Sequence, residues 1–117
     1  MEEPTDDQNV VNHITGSWKF ENHLENLNEP AKTMMADLRS FVKSLGSNVI
    51  EEVRPHRVVY AKTMNFRTFL DVEPAVDSLV ITIRKGRGTR PLRSIIRSLQ
   101  DIESVKKQIE VAYREIQ

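Results

Sequence analysis

The apolar residues of this chain change period twice, and that alternation limits the folds open to it. From Ala31 the residues Met34, Met35, Leu38, Phe41, Val42 and Leu45 recur at helical spacing, and so do Ile102, Val105, Ile109, Ala112, Tyr113 and Ile116 near the other end. Each set forms one continuous stripe, the mark of a helix that buries one side. Between them lie short runs that alternate with a period of two: Val49, Ile50 and Val53; Arg57–Ala61; Phe66, Thr68, Leu70 and Val72 against Arg67, Phe69 and Asp71; Leu79, Ile81 and Ile83; and Arg93–Arg97. Such runs read as strands. Short connections favour antiparallel pairing. The order helix, four to five strands, helix therefore predicts an α+β fold with the helices packed on one face of a mainly antiparallel sheet.

Local signals place the boundaries. Asn28 is a suitable N-cap and Pro30 suits a first helical turn, while Gly46 would supply a left-handed stop. Thr63-Met64-Asn65 reads as a turn, and Ser98-Leu99-Gln100-Asp101 as a capping box with Asp in place of Glu. Residues 1–20 are polar and acidic and read as a disordered tail, leaving 21–117 as a single domain. Trp18 and Phe20 are expected to return onto the domain edge. The opening residues lack the basic start and apolar stretch of a secretory signal, and no apolar run is long enough to span a bilayer. With no cysteine there is no disulfide framework, thiolate nucleophile or cysteine-based zinc site, so a cytoplasmic setting is expected.

A net charge of zero hides a polarised layout. Seven acids and one Lys lie in residues 1–29, whereas residues 84–97 carry Arg84, Lys85, Arg87, Arg90, Arg93 and Arg97 with no acid at all. Gly86 and Gly88 let the backbone bend close to a ligand, and Arg grips a phosphate through two parallel hydrogen bonds. Arg84, Lys85, Arg87, Arg90 and Arg93 are thus candidate polyanion-binding residues, with Arg57 and Arg67 as extensions and DNA or RNA as the candidate partner. Tyr60, Phe66 and Phe69 would be stacking surfaces if they shared that face. The alternative is a solvated loop whose charges balance the acidic N-terminal segment. A second functional class, a protein-interaction or self-associating domain, would use the sheet edge or exposed helix faces.

Catalysis finds no support in the residues. Asp71 and Glu73 point to one side of a strand, but Thr82-Ile83-Arg84 on the neighbouring strand offers no carboxylate for a metal-dependent nuclease. His13, His23 and His56 lack metal-ligand spacing, and Gly86 and Gly88 lead to Pro91 and a strand rather than to the helix of a phosphate-binding loop. The sequence therefore predicts a non-enzymatic module with no cofactor.

Several short stretches fall in a familiar order. They are His23-Leu24-Glu25, Ser44-Leu45-Gly46, Tyr60-Ala61-Lys62 with Asn65-Phe66, and Val72-Glu73-Pro74 with Leu79, Ile81 and Ile83. Ile96-Arg97-Ser98-Leu99-Gln100-Asp101-Ile102 and Ala112-Tyr113 complete the set. In these the chain resembles, over roughly residues 23–116, an uncharacterised family of small domains loosely labelled "predicted transport protein". Its members are met alone or at the C-terminal end of restriction-type or nuclease-associated proteins. The resemblance implies a compact α+β module of prokaryotic DNA-related systems and carries over no catalytic residue. The chain departs from the pattern at Arg84–Arg90, where such proteins have an acidic or an aromatic-and-glycine loop.

Overall fold

A computed structural model of the chain describes residues 18–63, 67–86 and 88–116. Helices α1 (Phe20–Glu25) and α2 (Ala31–Lys43) lead into strands β1 (Val49–Val53), β2 (Val58–Lys62), β3 (Thr68–Pro74), β4 (Leu79–Ile83) and β5 (Leu92–Ile96), followed by helix α3 (Leu99–Glu115). The strands form one five-stranded antiparallel sheet in the order β1-β2-β3-β4-β5. The α+β expectation holds, with both long helices on one face.

The register explains why the helices sit there. Val58 pairs with Val72, Tyr60 with Leu70, Ile81 with Val72, Ile83 with Leu70, and Leu79 with Ile96, so these side chains share one face. They meet Ala31, Met34, Met35, Leu38 and Val42 of α2 and Ile102, Val105, Ile109 and Ala112 of α3 in a single buried cluster. Each fully buried aliphatic side chain there contributes roughly 1.5–3 kcal/mol relative to exposure. Among the described residues the other face carries no long helix and presents Glu52, Asp71, Glu73, Val80, Thr82, Arg93 and Ile95.

Strict alternation along β3 fails at one residue. Tyr60 pairs with Leu70 but Ala61 pairs with Thr68, which leaves Phe69 as an extra, bulged residue. The bulge turns Phe69 and Leu70 inward together. Phe69 is fully buried, edge-on to Tyr113 with ring centroids 5.4 Å apart.

Two helix boundaries also differ from expectation. Helix α2 starts at Ala31, with Pro30 rather than Asn28 at the N-cap. Glu29 does the capping: its Oε1 accepts from the Thr33 N–H at 3.2 Å and the Thr33 hydroxyl at 2.7 Å. Asn28 is engaged elsewhere, its N–H donating to the Val76 carbonyl at 2.8 Å. At the other end, α2 stops at Lys43 and Gly46 does not adopt the left-handed backbone the sequence suggested. Gly46 is needed for space instead, because the Tyr113 hydroxyl and Asn48 Oδ1, hydrogen-bonded to each other, lie where a Cβ would stand.

Helix α1 was not expected, and through it Phe20, expected at the domain edge, joins the core. Phe20 is 4% exposed, under the Arg39 guanidinium at 4.3 Å. Half of the capping box read at α3 forms, Ser98 Oγ accepting from the Asp101 N–H at 3.1 Å, while the return bond goes to the residue before the N-cap. Asp101 Oδ2 in turn accepts from the N–H of Arg97 at 3.0 Å.

Candidate anion-binding site at one end of the sheet

The hairpin geometry gathers the connections β2–β3 and β4–β5 at the same end of the sheet. The Lys62 N–H donates to the Arg67 carbonyl at 3.3 Å and the Arg84 N–H to the Phe69 carbonyl at 3.0 Å, while Ile83 pairs with both Leu70 and Leu92. Arg67, Thr68, Arg84, Gly86, Thr89, Pro91 and Ile116 surround an open cavity of about 380 Å³ there, and none of them is acidic. Gly86 (φ 149°) and Gly88 (φ 77°) hold the loop in backbone conformations that side-chain-bearing residues rarely adopt. A Cβ at either position would meet open space, so the backbone alone demands glycine.

The basic residues divide by position. Arg84, Arg90 and Arg93 are exposed and Lys85 is half-buried. Ion pairs among the described residues use Arg39, Lys43, Arg54, Arg57, Lys106 and Arg114, and none uses Arg84, Lys85, Arg90, Arg93 or Arg97. Arg93 stands opposite Thr82 on the helix-free face. Arg67 joins the group by lining the cavity beside Arg84. Arg87 lies outside the described residues. Arg97 follows the far end of β5, next to Asp101.

Arg57 does not extend this group. It precedes β2, at the opposite end of the sheet, roughly 16 Å away along a five-residue strand. Its Nη1 is 2.9 Å from Asp71 Oδ2 and its Nη2 3.7 Å from Glu73 Oε2. Asp71 is 7% exposed, so this pairing neutralises a buried carboxylate. Tyr60 and Phe69 are not stacking surfaces either: at 1% and 0% exposure both belong to the core. Phe66 lies outside the described residues.

A second cavity, of about 370 Å³, opens at the Arg57 end, lined by Trp18, His23, Asn26, His56, Glu73 and Val76 among others. The fold brings His23 and His56 to one cleft although the sequence separates them. His23 Nε2 lies 2.7 Å from the Arg54 carbonyl and its ring stacks on Trp18 at 5.5 Å. His13 lies outside the described residues. No group of three or more His, Asp or Glu among the described residues is placed to hold a metal ion. Nor is any described helix long and apolar enough to cross a membrane.

No family model, curated protein or solved structure matches this chain.

Proposed function

We propose that this chain is a non-enzymatic module that binds a polyanion, nucleic acid foremost, through the basic end of its sheet. One observation carries the reading: Arg84, Lys85, Arg90 and Arg93 stand at or near one end of the sheet with no carboxylate paired to any of them among the described residues. Several cations elsewhere in the fold are engaged in ion pairs instead, as Arg57 is by Asp71 and Arg39 by Glu51. The cavity between Arg67 and Arg84 adds the Thr89 hydroxyl and a glycine-shaped backbone, a combination suited to phosphate oxygens. A cysteine-free chain fits work in a reducing cytoplasm.

Binding of this kind is dominated by counterion release. Fluorescence anisotropy with labelled DNA and RNA oligomers across a salt series should give log affinity falling with log salt at a slope of about −3.6 for four phosphate contacts on duplex DNA and about −2.8 on single strands. A slope near zero, or no binding at low salt, overturns the proposal.

A further inference from the structure

Among the described residues the sheet ends on two free edges, and they are unlike. On β1, Glu51 is held by Arg39 and Glu52 by Arg54, and most of the strand is half-buried. On β5, Leu92 is 44% and Ile95 49% exposed, and Leu99, just beyond the strand, is 45% exposed. The remaining large exposed apolar side chains among the described residues, Trp18 and Val76, line the cleft at the Arg57 end. The β5 edge thus combines unpaired backbone groups with uncovered aliphatic surface, the combination that invites another strand.

We propose that β5 pairs antiparallel with β5 of a second copy of this chain, about a two-fold axis through Ser94, joining two five-stranded sheets into one. A two-fold axis normal to the sheet is the operation that sets like edges side by side, antiparallel, with both helix layers on one face. Matching the faces then requires the axis to pass through a residue of the strand. Centred on Ser94, the register sets Leu92 opposite the partner's Ile96 and Arg93 opposite the partner's Ile95. Leu92 and Ile96 lie on the helix face, because β5 pairs Leu92 with Ile83 and Ile96 with Leu79. The Leu99 side chain, at the start of α3, stands ready to cover the partner's Leu92.

Charge favours this register over its neighbours. An axis through Arg93 would set two guanidinium groups directly opposite each other, which destabilises a strand pair. An axis through Ile95 would oppose Arg93 to the partner's Arg97 and leave Leu92 uncovered. Through Ser94, the two Arg93 side chains are only diagonal neighbours, their stems lie over the partner's Ile95, and their charged ends stay in solvent. Continuing the same register beyond the strand sets Arg90 against the partner's Ser98, beside the Asp101 carboxylate. Arg84 and Lys85 remain free, so a dimer would carry one basic end at each of two opposite corners.

An interface of one short strand pair is small, at the low end of specific interfaces, and the dimer should be reversible. Sedimentation of the wild type is expected to show a mass rising from 13.5 kDa toward twice that value with concentration. Because the chain has no cysteine, Ser94→Cys introduces a single thiol on the axis. Under mild oxidation it should cross-link several-fold more than Glu52→Cys on the β1 edge. Ile95→Lys should remain at 13.5 kDa at every concentration, with an unchanged melting profile because Ile95 is exposed. A wild type that stays monomeric up to about 1 mM, a standard free energy of only about −4 kcal/mol, overturns the proposal. So does an Ile95→Lys chain that dimerises as the wild type does, or a Glu52→Cys chain that cross-links as readily as Ser94→Cys.

Discussion

Replacing Arg84, Lys85, Arg90 and Arg93 together by alanine is expected to lower affinity for a single-stranded oligonucleotide by roughly a hundredfold or more at low salt, since each phosphate contact on a single strand releases about 0.7 counterion. The salt dependence should flatten in the same variant. Stability should change little, by about 0.5 kcal/mol or less, because these side chains make no ion pair among the described residues and lie at the surface. Arg57→Ala is the matching control. It removes a cation of the same type from the opposite end of the sheet, where Asp71 and Glu73 already neutralise it. Its binding curve should overlay the wild type while its stability falls. A loss of log affinity in Arg57→Ala of about a quarter of that in the fourfold variant, in line with one charge removed against four, would mean that net charge, and not the basic end, governs binding.

Glu51→Ala should be among the more damaging single substitutions in the chain, costing roughly 1–3 kcal/mol in urea denaturation, because it takes the shared acceptor from a partly buried network. The Glu51 side chain is 9% exposed and faces α2 from β1. It accepts from Arg39 Nε and Nη2 at 2.9 Å each and from the Tyr60 hydroxyl at 2.8 Å, with Lys43 Nζ at 3.5 Å. Removing it leaves the Tyr60 hydroxyl, in a residue 1% exposed, without its acceptor. Burial pushes the Glu51 carboxyl up, but the hydrogen bonds from Arg39 and Tyr60 and the charges of Arg39 and Lys43 outweigh it and hold the carboxyl below its ordinary value. Burial, with Glu51 alongside, pushes the Tyr60 hydroxyl up, so it stays protonated and continues to donate.

The acid dependence follows from the direction of the Glu51 shift. A carboxyl depressed in the folded state contributes stability that is fully present above its unfolded value, about 4.3, and is lost as pH falls through the folded value. Denaturation midpoints of the wild type should therefore drop on acidification below about pH 4 by more than those of Glu51→Gln, which has no carboxyl to protonate. Parallel curves for the two proteins would contradict the network.

What could be read from the residues, and what could not, divides along the range of the interactions. The α2 and α3 stripes and the alternation of Leu79, Ile81 and Ile83 are local periods, and the fold buries them as the spacing implies. The bulge at Phe69 has no local signal, since it arises from how β3 matches β2. Helix α1 is six residues long, too short to stand on propensity, and depends on Phe20 packing beneath Arg39. The need for Gly46 comes from Tyr113, which lies on the last helix.

The candidate site shows the same split. The cationic run from Arg84 is visible as composition, but its limits are tertiary. Arg67 enters because hairpin geometry sets β3 beside the start of the β4–β5 loop, and Arg57 drops out because Asp71 claims it from the neighbouring strand. Nothing local marks Glu51, whose role exists because α2 brings Arg39 to it.

Amide chemical-shift mapping of the isotope-labelled chain against a short single-stranded oligonucleotide, at about 50 mM salt where phosphate contacts are strongly favoured, tests the central claim most directly. The predicted perturbations concentrate on residues 84–93 together with Arg67 and Thr68, and spare Arg54, His56 and Arg57. Perturbations centred instead on Trp18, His23 and His56, or none anywhere, would contradict it.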